Sequence, residues 1–379
     1  MKTNMKIFIT LLLLTQLDAC QNKTKQDKIT HLQKTTTTMN DNTPIQRYFK
    51  WQEGINAPAG YPIQVYKGGL ESVSGFTGLS GIGISSNTWG SPSSGMSSGE
   101  KEVPNRINCI WVAYAEDCMY KIDCEIDYDK MIKLFNEGFT SSNRRRGRKM
   151  DTYDVITTGF APGGVVVIWL SSGDKQVEVG RYQGEKFTVP QAEIDRLDPS
   201  EHIIFETEDR KRIMKNPKIV PPEIQEAHKN KPIPFGLWDT YREKYSWRPT
   251  FVMQREGKMD DDTGFSMFNG ENETLIYETF DENKFEKRAI PKDVGFGWWD
   301  KEGQGYGAYV VFDEKEIFEA FATIYKDNKK GDAEIELKAN MTNTYLVIKM
   351  KGNGKEVFIT KAKIEVFESR EVTRRYKKN

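Results

Sequence analysis

The residues of this chain that could do acid–base or metal chemistry are widely scattered. Its three histidines, His31, His202 and His228, lie far apart in the sequence. A catalytic triad or a metal site needs several such side chains at one place, and the spacing gives no sign of this. We therefore predict no catalytic residues, no metal and no cofactor. A non-enzyme is favoured, and an enzyme stays open.

A run of carboxylates, Asp260-Asp261-Asp262, stands before Thr263 and Gly264. It resembles an ion-binding loop only in part, because the calcium pattern also needs a later bidentate glutamate at a fixed spacing. We predict a turn here instead. An acid–base pair among the other carboxylates stays open, since nothing in the spacing singles one out.

An aromatic cluster, Phe296-Gly297-Trp298-Trp299-Asp300, is followed closely by Tyr306. One interpretation is a binding surface in which Trp298, Trp299 and Tyr306 are exposed and stack on a sugar or a peptide. The other is a strand whose tryptophans fill a core, because large aromatic side chains are mostly buried. We favour the core and keep the surface as a candidate.

Three cysteines besides Cys20, namely Cys109, Cys118 and Cys124, lie in one short stretch. If Glu116-Asp117 form a two-residue hairpin turn, Cys109 lies directly opposite Cys124, and a cross-strand disulfide fits that geometry. Cys118 would then be left over. The alternative is that all three are reduced and act as small apolar residues in a sheet.

The charge balance excludes one class of partner. Lys plus Arg and Asp plus Glu both number 55, so the formal net charge is zero, which is unlike the basic surface of a nucleic-acid-binding protein. The run from Arg144 to Lys149 is locally basic and could touch anionic lipid, but a solvated loop tip is favoured. The mean hydropathy of −0.65 predicts a polar surface and no further membrane-spanning segment.

The first residues predict where in the cell the protein is located. Lys6 precedes an apolar run, Ile7 to Leu14, and Leu17-Asp18-Ala19-Cys20 follows where a bacterial lipoprotein signal is cut. The run is too short to span a bilayer, so we expect its removal and a diacylglycerol on Cys20. The alternative is a plain secretory signal with an incidental cysteine. The predicted location is the bacterial cell envelope, at the outer membrane or the periplasmic face of the inner membrane.

The elements that would position these residues are mainly strands. Runs rich in β-branched and aromatic residues, bounded by Gly, Asn, Asp or Ser, predict strands after residue 51. They cover residues 62–67, 108–114, 164–170, 176–182, 345–350 and 356–366. Only two stretches are strongly helical, one beginning after Asp127 and one after Asp313, where Glu316 completes a capping pattern.

The two helices belong to a weak internal repeat. Residues 120–135 align with residues 306–321 at an offset of 186, and residues 165–187 align with residues 345–367 at an offset of 180. We predict an α+β protein, mainly antiparallel sheet, with two related domains that each pack one helix on a sheet. The alternative is that any two strand–helix–hairpin units look alike. The predicted segments are a signal peptide at 1–19, a flexible tether at 20–46, a β-rich domain at 47–195, a Pro-rich charged connector at 196–244 and a second β-rich domain at 245–379.

Three stretches of the first predicted domain resemble bacterial lipoproteins grouped as domain of unknown function 2931. They are Trp51 with Ala57-Pro58-Ala59-Gly60-Tyr61-Pro62, the helix from Asp127 to Phe139, and the run from Phe160 to Leu170. The likeness covers roughly residues 47–190. It implies a Gram-negative envelope lipoprotein without an assigned reaction, so it supplies no catalytic residues.

Three hypotheses for function follow. The first is a membrane-anchored module that binds a protein or glycan partner without catalysis. The second is an immunity or accessory lipoprotein that neutralises a toxin or secreted effector. The third is an unrecognised hydrolase that uses carboxylates.

Overall fold

The computed structural model describes residues 45–91, 95–143, 147–173, 175–276 and 283–376, and residues 45–379 form one unit. The predicted signal peptide, most of the tether and Cys20 lie outside the described residues. So do Arg144, Arg145 and Arg146 of the basic run. The predicted α+β class with mainly antiparallel sheet is confirmed.

The first lobe contains fourteen strands and one long helix, α1, at Tyr128–Glu137. Its strands are β1 Tyr48–Lys50, β2 Gln52–Asn56, β3 Ile63–Glu71, β4 Phe76–Gly78, β5 Ile84–Ser85, β6 Glu100–Glu102, β7 Arg106–Ala113, β8 Cys118–Glu125, β9 Phe139–Asn143, β10 Gly147–Asp151, β11 Val155–Ala161, β12 Val165–Ser172, β13 Lys175–Gln183 and β14 Glu185–Phe187.

The connector begins earlier than the predicted boundary of 196: it comprises residues 188–243, between β14 and the second lobe, and contains four short helices, although only two helical stretches were predicted in the body of the chain. They are α2 Gln191–Ile194, α3 Thr207–Lys215, α4 Pro222–His228 and α5 Leu237–Thr240, with a 3₁₀ turn at Pro199–Phe205. Prolines begin three of these elements: Pro190 is the N-cap of α2, Pro199 opens the 3₁₀ turn and Pro222 opens α4. Proline suits the first helical position, because its φ is fixed near the helical value and the backbone N–H there needs no helical partner.

The described part of the second lobe contains ten strands and the helices α6 Glu314–Tyr325 and α7 Arg370–Tyr376. The predicted strand at 356–366 is two strands. The set is β15 Lys244–Met253, β16 Gly257–Met267, β17 Asn272–Ile276, β18 Glu286–Ala289, β19 Pro291–Asp300, β20 Gly305–Val311, β21 Asp332–Ala339, β22 Leu346–Gly352, β23 Lys355–Ile359 and β24 Lys363–Glu368.

Both lobes have the same strand topology. In the first, β2 pairs in parallel with β11, which continues antiparallel to β12 and β13, while β3, β7, β8 and β14 form a second ladder. In the second, β15 pairs in parallel with β21, which continues to β22 and β23, while β16, β19, β20 and β24 form the second ladder. A separate apolar core lies in each lobe.

The repeat extends to single side chains. Asp127 caps α1 by accepting a hydrogen bond from the Lys130 backbone at 3.0 Å, and Asp313 caps α6 through the Glu316 backbone at 2.9 Å. Cross-strand partners Trp111 and Tyr120 stack with ring centroids 5.4 Å apart. Their counterparts in the second lobe, Trp298 and Tyr306, stack at 5.7 Å.

The two lobes share one sheet of nine strands. The junction is short: in β13 and β17, Lys175 pairs with Glu273 and Gln176 with Asn272. The Gln176 side-chain amide also donates to the backbone carbonyls of Gly90, at 2.7 Å, and Gly270. Residues 45–379 are therefore joined through backbone hydrogen bonds as well as through side chains.

The predicted register of the β7–β8 hairpin is wrong. Its loop holds four residues rather than two, because a 3₁₀ turn at Tyr114–Glu116 is followed by Asp117 with a positive φ of 48°. Cys109 therefore lies opposite Ile122, and Cys124 lies opposite Ile107. The proposed Cys109–Cys124 disulfide is not formed, and none joins the cysteines of the described chain.

In the first lobe, the part of the outer face of the β7–β8 ladder that lies near the hairpin loop is covered. Ile110, Val112 and Met119 point away from the main core and pack against Val189, Ile204 and Ile213 of the segment that follows β14. The connector is thus a structural part of the first lobe.

Candidate functional site

The corresponding outer face of the second lobe is open and forms a groove of about 760 Å³. The strands β16, β17, β19, β20 and β24 supply its floor and sides, and α7 lies at one end. A groove of this volume lies within the range of ligand sites in proteins. We take it as the candidate site.

Glycines make up the floor of the groove. Gly264 pairs with Gly295 across β16 and β19, and Gly297 pairs with Gly307 across β19 and β20. Because side chains alternate between the two faces of a strand, these four glycines leave backbone alone on the outer face. Their neighbours Phe265, Phe296 and Ala308 point into the core.

The glycines differ in how far packing requires them. A β-carbon at Gly297 would lie 2.9 Å from Val372 of α7, and one at Gly307 would lie 2.7 Å from the Phe367 ring. A β-carbon at Gly264 or Gly295 would meet its nearest neighbour at 3.9 or 3.7 Å, which is ordinary contact. The fold therefore accepts a side chain at Gly264 and Gly295.

Two aromatic side chains form a wall of the groove. Tyr309 is 45% exposed and Phe367 is 47% exposed, so both rings are open to solvent at the groove. The Phe367 ring lies over Gly307, in the space that a side chain would otherwise fill. One face of this ring is thus supported from below.

The charged residues that line the groove are all acidic. They are Asp260, Glu273, Asp293 and Glu371. Glu273 is paired with Arg288 at 2.8 Å behind the groove. Burial raises the pKa of Asp293, although a hydrogen bond from Ser266 acts in the opposite direction. No lysine or arginine lines this groove in the described chain, so the formal charges of its lining are all negative.

The predicted aromatic platform is wrong, and the favoured alternative, a tryptophan-filled core, holds for Trp298. This side chain is fully buried in the second core, and its indole N–H donates to Asn343 at 3.1 Å. Trp299 is 4% exposed, and Tyr306 is half-buried against Trp298. The three side chains therefore form no exposed platform, and the open surface lies instead on Gly295, Gly297 and Gly307 of the neighbouring strand positions.

The run of aspartates is not a turn. Asp260 lies within β16, where the register with β19 shifts between Met259 and Thr263, and its side chain is buried at the groove. A bulge of this kind re-aims side chains at the edge of a site. Among the described residues no group of three or more His, Cys, Asp or Glu side chains is placed to hold a metal ion.

The other sequence candidates are separated in space from the groove. His202 contacts the carbonyl of Leu197 at 3.2 Å, and His228 stacks on Tyr61 with centroids 4.9 Å apart. Both contacts hold the connector together or onto the first lobe. Within the described ranges no helix is long and apolar enough to cross a membrane.

Sequence reasoning missed one pattern, Gly95-Met96-Ser97-Ser98-Gly99, which has the G-x-S-x-G spacing of a serine nucleophile. It lies in a loop before β6 and not between a strand and a helix. The buried Glu53 accepts hydrogen bonds from the Ser97 hydroxyl and from the backbone of Met96 and Ser97, at 2.9 and 2.8 Å. Lys101 donates to the same hydroxyl at 2.6 Å. The backbone N–H groups at this serine are thus already used, and the cluster ties the loop to β2.

The stretches that carried the resemblance also have structural roles. Gly163 and Gly164 form the β11–β12 turn with φ of 83° and 76°, a region that favours glycine. The Gly163 backbone donates to Glu116 at 3.1 Å, which holds two hairpin loops together. The indole of Trp51 donates to the carbonyl of Lys101 at 3.3 Å. These residues build the first lobe and do not point to a reaction.

Comparison with known proteins gives one match. A family described as "Protein of unknown function (DUF2931)" matches residues 32–236, which is more than half of the chain. The match ends beyond the residues that carried the resemblance and includes α2, α3 and α4 of the connector. No curated protein and no solved structure matches the chain.

Proposed function

The chain belongs to the DUF2931 family of proteins of unknown function, and from this premise we propose that it is an envelope lipoprotein that binds a partner through the groove of its second lobe. The anchor is the diacylglycerol expected on Cys20, which stands after the leader-like residues 5–19. A tether from Cys20 to about residue 46 would span roughly 25–30 Å on average if it behaves as a flexible chain. The partner is a protein or a glycan of the envelope.

One observation carries the binding role. Two lobes of the same topology differ in that the outer face of one is covered by the connector, while the equivalent face of the other carries exposed Tyr309 and Phe367 beside a floor of glycines. Exposed apolar patches on a folded protein usually mark interaction sites. Gly264 and Gly295 add to this, because neither is required by its own packing and both keep the floor open.

The test fills the groove without disturbing the fold. In Gly295→Trp, the new side chain projects over the floor, while its β-carbon makes only ordinary contacts. The control is Gly75→Trp, in an exposed loop of the first lobe where a β-carbon is 3.8 Å from the nearest atom. Both proteins are purified from detergent-solubilised membranes and their bound molecules are identified.

We expect the native protein and Gly75→Trp to recover the same partner, and Gly295→Trp to lose it. If Gly295→Trp recovers that partner equally well, or if all three proteins are recovered alone, the groove is not the binding site. The anchor is tested separately. Cys20→Ser should abolish palmitate labelling and release the protein into the soluble fraction, and continued membrane retention would contradict the lipoprotein assignment.

A further inference from the structure

In the first lobe, a segment of the chain itself packs on the face that is equivalent to the groove. Outside its β7–β8 hairpin lies a stretch of ordinary polypeptide, made of α2, the 3₁₀ turn and α3. It buries Ile204 and Ile213 against Ile110 and Met119. This is a cover made by protein, and it occupies the face through apolar side chains and charged partners together.

The stacked Trp–Tyr pairs define equivalent positions in the second lobe. Ile110 precedes Trp111 as Gly297 precedes Trp298. In the partner strands, Met119 and Lys121 flank Tyr120 as Gly305 and Gly307 flank Tyr306. The second lobe therefore has glycine at the three positions where the first has the larger Ile110, Met119 and Lys121.

The segment after β24 covers one end of this face only. Val372 of α7 lies against Gly297 and Gly305, where a β-carbon would clash with it. The remaining face, from Gly264 to Tyr309 and Phe367, stays open. In the first lobe the corresponding segment, which follows β14, covers more of the face, at Ile110, Val112 and Met119, and leaves a smaller pocket of about 420 Å³ beside Asn108 and Lys121.

The two faces differ in charge, because the face of the first lobe carries both signs, with Glu71 beside Lys67 and Lys121, whereas the charged side chains that line the open groove are acidic. The covered face presents Lys67, and the connector supplies Glu193, whose carboxylate is 2.5 Å from the Lys67 ammonium and also accepts from Tyr66 at 3.1 Å. Lys121 of the same face lies 5.6 Å from the ring centroid of Phe187. The open face carries Asp260, Asp293 and Glu371 instead.

We infer that the groove takes a basic polypeptide segment of a partner protein, which lies on the second lobe as the connector lies on the first. This inference rests on the proposed function, since it names the class of ligand for the same groove. The polypeptide class follows from the cover of the first lobe, and the basic character follows from charge complementarity. Tyr309 and Phe367 would receive apolar side chains, or cationic side chains over their ring faces.

The experiment measures charge selectivity at the groove. Three pools of fluorescent peptides share one length and one apolar composition and differ only in having Lys, Gln or Glu at their polar positions. Binding to the full-length protein in detergent is followed by fluorescence anisotropy at low and high salt. A mixture of neutral oligosaccharides is tested as a competitor and as a direct ligand.

We expect the Lys pool to bind about tenfold more tightly than the Gln pool at low salt, and the Glu pool more weakly than both. Added salt should reduce this preference, because it screens charges. Gly295→Trp should remove the binding and Gly75→Trp should keep it. Asp293→Asn should reduce the Lys preference several-fold, while Glu185→Gln, an equal change of charge on the exposed face of β14, should leave it unchanged.

The outcomes separate the two proposals. Equal binding of the Lys and Glu pools, or a Lys preference that Gly295→Trp does not remove, overturns the inference. Binding of neutral oligosaccharides that Gly295→Trp abolishes, without peptide binding, also overturns it but leaves the groove as the binding site. If no probe binds in a manner sensitive to Gly295→Trp and this variant keeps its membrane partner, both proposals fail.

Discussion

The two lobes of this protein share their topology and differ in what lies outside it. Each has a parallel pair that leads into an antiparallel ladder, one capped helix, and a stacked Trp–Tyr pair in the core. In the first lobe the connector buries Ile110, Val112 and Met119 on the outer face of the β7–β8 ladder. In the second lobe the equivalent face is a groove with a glycine floor and acidic lining.

The two faces of a strand are therefore under separate constraints: core packing limits the inner face, and surface contacts limit the outer face. Residues that point inward, such as Trp111 and Trp298, keep the same role in both lobes, because the core must be filled at high density. Residues that point outward change from Ile110 and Met119 to Gly297 and Gly305. A duplicated fold can thus keep its core and acquire a new surface.

The largest effect is expected in the core. Trp111→Ala and Trp298→Ala each remove a buried indole, so each should lower the free energy of unfolding by about 3–5 kcal/mol. Urea unfolding of both variants measures this directly. Tyr345→Ala, at a side chain that is half exposed, is the control and should change stability by less than about 1 kcal/mol. A loss confined to one tryptophan would show that the cores are not equivalent.

A smaller effect should separate the outer faces. Ile110→Ala removes an apolar contact beneath the connector and should cost about 2–4 kcal/mol. Phe367→Ala in the open groove should cost less than about 1 kcal/mol, since the ring is already half in water. Thermal unfolding compares the two, and limited proteolysis should cut the connector faster in Ile110→Ala alone. Equal costs would mean that the groove is closed in solution.

The smallest effect concerns pH. Burial raises the pKa of Glu316, but hydrogen bonds from the backbone of Thr360 and Lys361, at 2.9 and 2.7 Å, outweigh it and hold the pKa below its ordinary value of 4.5. A lowered folded-state pKa contributes stability at neutral pH that is lost as the pH falls through that pKa. In the first lobe the repeat places Lys130 at this position.

Glu316→Gln should therefore reduce stability at neutral pH and have a smaller effect below pH 4.5, the ordinary pKa of a glutamate. Lys130→Gln is the matched control and should leave the loss of stability at acid pH unchanged. Chemical denaturation at a series of pH values measures both. If Glu316→Gln loses stability at acid pH in the same way as the native protein, these hydrogen bonds do not stabilise the carboxylate in solution.

Much of the fold could be read from the sequence, because local signals and core packing agree. The caps Asp127 and Asp313 and the strand beginnings at Lys175 and Lys355 fall where the alignment of the two halves puts them. The cross-strand partners of the cysteines in the β7–β8 hairpin could not be predicted, because the turn has four residues and not the assumed two. Such a change depends on whether Asp117 adopts a positive φ, which composition does not fix.

The groove was hidden for a different reason. Its floor consists of glycines, which have no side chains. In the sequence, Gly295 and Gly297 alternate with Val294, Phe296 and Trp298, and the aromatic residues are the stronger signal for a binding surface. The usable signal was the alternation itself: if the aromatics point inward, the glycines between them must point outward. The packing of the connector on the first lobe could not be predicted either, because its apolar residues contact β7 and β8, which are distant in the sequence.

The two residue pairs that join β13 to β17 have a consequence for relatives of this chain. The family match covers the first lobe and most of the connector but none of β17. A relative built from that portion alone would leave β13 as a bare edge strand, with amide and carbonyl groups ready to recruit another copy. Such a protein would need lysines, a proline or a bulge along β13 to remain monomeric, whereas here β17 pairs with the first two residues of that strand.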